Sequence, residues 1–106
     1  MNFIDTSMRS KNSILGLIKE HVALFDLFKY VYLFGSVIDP NIAHNDIDIL
    51  IIYAKYSDEI ENTLQVVLDE LEQASGLLVD LTALSIEEER DIAFLERIKP
   101  HYIRIK

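Results

Sequence analysis

Cysteine and tryptophan are absent from this chain, and glycine (3) and proline (2) are scarce. Without cysteine there can be no disulfide and no thiolate metal site, which fits a cytoplasmic protein. No apolar run approaches the ~20 residues that a membrane helix needs. The opening Met1-Asn2-Phe3-Ile4-Asp5 lacks the basic-then-apolar order of a secretion signal, so none is expected. Basic residues are few as well: 10 Lys and Arg stand against 18 Asp and Glu, a net charge of −8. Phosphate neutralisation supplies most nucleic-acid affinity, so direct nucleic-acid binding is not expected of so acidic a chain. The few cations are unevenly spread. Arg97, Lys99, Arg104 and Lys106, with His101 among them, crowd the last ten positions. They read either as a solvated tail or as a local contact for an anion or an acidic partner.

What is present is ordinary globular material. Half of the 106 residues are hydrophobic and 26% charged, enough for one core and one domain spanning residues 1–106. Ile14, Leu17, Ile18, Val22, Phe25 and Phe28 recur at helical spacing, predicting an amphipathic helix over roughly residues 11–28. Val31 to Phe34 is a short β-favouring run stopped by Gly35, and Asp46 to Tyr53 is a stronger strand. Ser57 or Asp58 can cap a second helix with its apolar stripe at Ile60, Leu64, Val67, Leu68 and Leu71, ended by Gly76. Leu77 to Leu84 predicts a third strand, and Ser85-Ile86-Glu87-Glu88 is a capping box opening a third helix that runs to about Lys99. His101 to Ile105 can form a short closing strand. This order predicts a small α+β domain with a mixed sheet.

Chemistry concentrates in Phe34-Gly35-Ser36, nine loop residues, and Asp46-Ile47-Asp48-Ile49-Leu50. Alternate strand residues share a face, so Asp46 and Asp48 point together while Ile47, Ile49, Ile51 and Tyr53 point away. Two like charges opening an apolar strand resist burial, and a divalent cation would turn that liability into a site. Leu50 and Ile52 continue the aspartate face as apolar residues, which suggests a strand buried on both sides with its tip open to a cleft. Asp80, the one acid in the third strand, joins the pair only if that strand lies beside the second at matching height. Three converging carboxylates would suit Mg²⁺ or Mn²⁺. Gly35 allows close backbone approach, and Ser36 adds a hydroxyl, which together can cradle anionic oxygens.

In these residues the chain resembles the nucleotidyltransferase superfamily that includes DNA polymerase β, in particular its minimal nucleotidyltransferase (MNT) branch. The shared pattern is an apolar residue, Gly-Ser, a loop of about ten residues, Asp-x-Asp among aliphatics, and a third acid on a later strand. Val79-Asp80-Leu81 supplies the last, and Phe94-Leu95-Glu96-Arg97-Ile98 is similar to the family's closing helix. Many members carry an Arg directly after Gly-Ser; here Val37 and Ile38 follow. The resemblance implies a polymerase β-like fold. It also implies catalytic and metal-binding roles for Asp46, Asp48 and Asp80, nucleotide binding by Gly35 and Ser36, two Mg²⁺ ions, and ATP as substrate. It further implies an antitoxin in a hetero-oligomer with a HEPN ribonuclease toxin, adding AMP units to a tyrosine of that partner. Two other readings are a non-catalytic subunit that neutralises its partner sterically and an antibiotic-type adenylyltransferase acting on a small molecule.

Overall fold

The computed structural model describes residues 11–35 and 46–106. Helix α1, Lys11–Glu20, presents buried Ile14 and Ile18 to the core. It stops earlier than the apolar spacing predicts. His21 turns the chain, with its Nδ1 2.8 Å from the Leu17 carbonyl, and a 3-10 turn, Val22–Phe25, follows. The tighter turn buries both Phe25 and Phe28 and leaves Val22 45% exposed, so the valine drops out of the expected stripe.

Strands β1 (Tyr30–Phe34), β2 (Asp46–Tyr53), β3 (Leu78–Ser85) and β4 (Tyr102–Arg104) form one sheet in the order β3-β2-β1-β4. β1 runs antiparallel to β2 and β4, whereas β2 and β3 are parallel, so the sheet is mixed as expected. The parallel pair needs a crossover, and α2 (Asp58–Ser75) provides it. Ser57 caps α2 by accepting from the Ile60 N–H at 3.1 Å, and Gly76 ends it at φ 72°.

One sheet face carries Val31, Leu33, Ile47, Ile49, Ile51 and Val79, packed against Ile14, Ile18, Phe25, Phe28, Ile60, Val67 and Leu71. Burying each of these apolar side chains contributes about 1.5–3 kcal/mol. The opposite face carries Asp46, Asp48, Leu50 and Ile52, with Leu50 and Ile52 buried where α3 (Ile86–Ile92) packs over β2 and β3. Along β2 only Asp46 and Asp48 are less than fully buried. The sheet therefore opens at one end.

The third helix is broken where a continuous one is predicted. α3 ends at Ala93, which adopts φ 51° and ψ 49°, and α4 (Phe94–Ile98) begins directly after it. The Glu89 carboxylate accepts from the Leu95 N–H at 3.0 Å, restarting the helix in a new direction. The Phe94 ring then meets Phe34 edge-on, 5.5 Å between centroids. Tertiary packing of aromatic surface outweighs the cost of a left-handed alanine.

Lys106 accounts for one cation of the basic C-terminal run. Its Nζ donates to the carbonyls of Phe25 (2.9 Å), Asp26 (3.1 Å) and Phe28 (2.6 Å), filling all three ammonium donors. Lys106→Met should cost about 1.5–3 kcal/mol, the range for hydrogen bonds to a charged group. Thermal melting checks this, and an unchanged midpoint would show the clasp to be energetically idle.

Candidate nucleotide-transfer site

The open end of the sheet is where β1 finishes and β2, β3 and β4 start. Asp48 pairs with Phe34 on β1 and with Asp80 on β3. Phe34 in turn pairs with Tyr102 on β4. Paired residues in adjacent strands share a face, so Asp80, Asp48, Phe34 and Tyr102 form one row across all four strands. The condition set for Asp80 is met, since β3 lies beside β2 with its acid level with Asp48. Neighbouring strands lie ~4.8 Å apart, which brings these two carboxylates into one another's field.

Asp46 lies on the same face one pleat further out, half-buried, and its neighbour on β3 is Leu78 rather than an acid. Among the described residues no three Asp, Glu, His or Cys side chains are gathered as a ready-made metal site. The expected three-carboxylate cluster is thus an edge-on pair, Asp48 and Asp80, with Asp46 displaced along the strand. The donor chemistry still suits a hard divalent cation. All three groups are carboxylates on one face, and Asp80 is exposed at the sheet edge.

Gly35 is tied directly to this row. It follows Phe34 at φ 80°, a backbone region that side chains rarely enter. A Cβ built on it would overlap Asp48 Oδ2 and lie 3.0 Å from Asp48 Cγ. The carboxylate of Asp48 therefore rests in the space that glycine leaves empty. Ser36 lies outside the described residues.

The aromatic layer beside the acids was not legible as part of the site. Phe34 and Phe94 contact edge-on, Tyr32 and Tyr102 do the same at 5.3 Å, and Arg97 sits 5.5 Å over the Phe94 ring. Its one signal in the sequence was the alternation of Tyr30, Tyr32 and Phe34 on a single strand face. Burial pushes the Tyr32 hydroxyl above its ordinary pKa, partly offset by the Arg104 guanidinium, so the phenol stays neutral at physiological pH. A pocket of about 500 Å³, lined by Leu64, Leu68 and Leu81 with Glu61, Asn62 and Gln65, lies between α2 and the far face of β3. It contains none of the three acids.

The comparisons with known proteins agree with this fold. A candidate nucleotidyltransferase from Sulfolobus solfataricus superposes with a TM-score of 0.56 at 23% identity, over 98% of this chain and 89% of that one. A mutant of the MntA–HpeT toxin–antitoxin complex superposes with a TM-score of 0.53 at 17% identity, over 92% of this chain and 73% of that one. At these identities the likeness is one of fold. The MNT antitoxin complex with tri-AMPylated Shewanella oneidensis HEPN toxin reaches a TM-score of only 0.49, at 18% identity, over 94% and 71% of the two chains. No curated protein matches the chain significantly in sequence. Among the described residues no helix is long and apolar enough to cross a membrane. The family model for polymerase beta nucleotidyltransferases matches residues 17–103, which include β1 with Gly35, both aspartates of β2 and Asp80; the chain belongs to that family.

Proposed function

We propose that this chain transfers AMP from ATP to a partner protein, as the antitoxin of a module whose toxin is a HEPN ribonuclease. The observation that carries the reading is the placement of Asp48 between Gly35 and Asp80. The Asp48 carboxylate fills the space that Gly35 leaves by lacking a Cβ on one side and stands beside a second carboxylate on the other. Asp46, Asp48 and Asp80 would hold the divalent cations. Bound there, Mg²⁺ would neutralise charge on the triphosphate and on the attacking and leaving oxygens.

The chain's own residues do the rest. Asp80, exposed on the edge strand, is the carboxylate an incoming hydroxyl can reach, and it accepts that hydroxyl's proton. The acceptor oxygen bonds to the α-phosphorus as the bond to the bridging oxygen breaks, and pyrophosphate leaves. Gly35 lets the β- and γ-phosphates approach the backbone. Leu78, 71% exposed beside Asp46, gives an approaching protein an apolar contact at the rim. The fold likeness to a protein of the MntA–HpeT toxin–antitoxin complex supports a protein acceptor, as does the net charge of −8.

The test is incubation with ATP, Mg²⁺ and the protein encoded beside this one, read by intact mass. A gain of one or more AMP units on the neighbour, absent with the Asp46→Asn/Asp48→Asn variant, is the expected result. An unmodified neighbour that is nonetheless inhibited would replace this reading with steric neutralisation.

A further inference from the structure

We infer that Arg97 holds the pyrophosphate end of the nucleotide. The inference rests on the nucleotidyltransferase reading above and adds a residue to it. In-line displacement sets the acceptor, the α-phosphorus and the leaving pyrophosphate on one line. The strand order gives that line a direction. Asp80 on β3 faces the acceptor, Asp46 and Asp48 on β2 face the α-phosphorus, and Gly35 follows β1. Pyrophosphate therefore departs towards β1 and the α4 helix, whose Phe94 meets Phe34 of β1. Its charge calls for cations on that side. The nine residues after Ser36 contain neither Lys nor Arg.

The basic C-terminal run lies on that side, and the structure separates its members. Lys106 is committed to three carbonyls. Lys99 pairs with Glu96 at 3.3 Å. Arg104 extends its guanidinium over the Tyr30 ring, 5.1 Å from its centroid. Tyr30 pairs with Ile52, four residues along β2 from Asp48, so Arg104 points about 13 Å away from the open end. Arg97 leads the other way. Its guanidinium lies 5.5 Å over Phe94, and Phe94 packs 5.5 Å from Phe34, the residue paired with Asp48 and followed by Gly35.

Among the described residues Arg97 forms no ion pair, although the chain holds 18 acids. Stacking on an aromatic face fixes the guanidinium plane while leaving its N–H edge free for two phosphate oxygens. The break at Ala93 starts α4 at Phe94, the residue that meets Phe34, and Arg97 lies one helical turn further on, on the same side of α4.

Calorimetric titration of the purified chain in Mg²⁺ with ATP, pyrophosphate and AMP tests the assignment. Arg97→Met should weaken ATP and pyrophosphate binding by about 10-fold or more and leave AMP binding unchanged, the loss expected for a charge-assisted contact. Arg97→Lys should recover part of it, since charge returns without the fork. Arg104→Met should match the wild type. Wild-type affinity for pyrophosphate in Arg97→Met, or an equal loss for AMP, would overturn the inference while an Asp48→Asn defect in ATP binding left the site reading standing. A wild-type chain that binds neither ATP nor pyrophosphate would overturn both.

Discussion

Asp48→Asn should lower AMP transfer by about 10²–10³-fold, the usual cost of removing one group that stabilises transition-state charge. Asp48 is singled out by position. It lies on β2, an interior strand of the sheet, half-buried, flanked by Gly35 and by Asp80. Neither Asp46 nor Asp80 has neighbours of that kind on both sides. Asp46 pairs with Leu78, and Asp80 is exposed on an edge strand. The fold should not suffer with the activity. Asp48 and Asp80 are like charges side by side on neighbouring strands, and such pairs destabilise a sheet. Asp80→Asn should therefore melt at or slightly above the wild-type temperature while transferring AMP more slowly. A folded Asp48→Asn variant of undiminished activity would remove the residue from the chemistry.

Gly35→Ala should produce the second large effect, through two separate causes. The residue sits at φ 80°, where an L side chain costs about 1–2 kcal/mol. Its new Cβ would also overlap Asp48 Oδ2 and push the carboxylate from its seat. A shift of about 1 Å in a reacting group can cost 10²-fold in rate, so transfer should fall by that much or more. Gly76→Ala provides the matched control. Gly76 also has positive φ, 72°, at the end of α2, and it comes before the first β3 residue that pairs with β2, so it is paired with none of the acids. Both variants should lose similar stability by thermal melting, and only Gly35→Ala should lose activity beyond it. Equal activities in the two would show that glycine serves the turn alone.

Much of this site was legible because strand geometry is local. The alternation in Asp46-Ile47-Asp48-Ile49 places both acids on one face whatever surrounds them, and burial along β2 follows that pattern. Asp80 was different. Its partnership with Asp48 depends on the register across a crossover of 18 helical residues, which no local pattern encodes. The break at Ala93 was illegible for the opposite reason. Alanine favours helix, and here the left-handed turn is imposed from outside by Phe94 closing on Phe34. The early end of α1 has the same character, because burying Phe25 and Phe28 together outweighs an unbroken apolar stripe. The basic C-terminal run was seen in the sequence as a whole, but its members separate only in three dimensions, with Lys106 tied into the fold, Lys99 paired with Glu96 and Arg97 placed over the Phe94 ring.

The most direct measurement is a pair of parallel reactions with ATP labelled at the α- or the γ-phosphorus, in Mg²⁺, with the partner protein present. Transfer at the open end of the sheet predicts α-label on the partner, γ-label only in released pyrophosphate, and loss of both signals in Asp48→Asn. Covalent γ-label on the partner, or α-label transfer that survives Asp48→Asn, would contradict it.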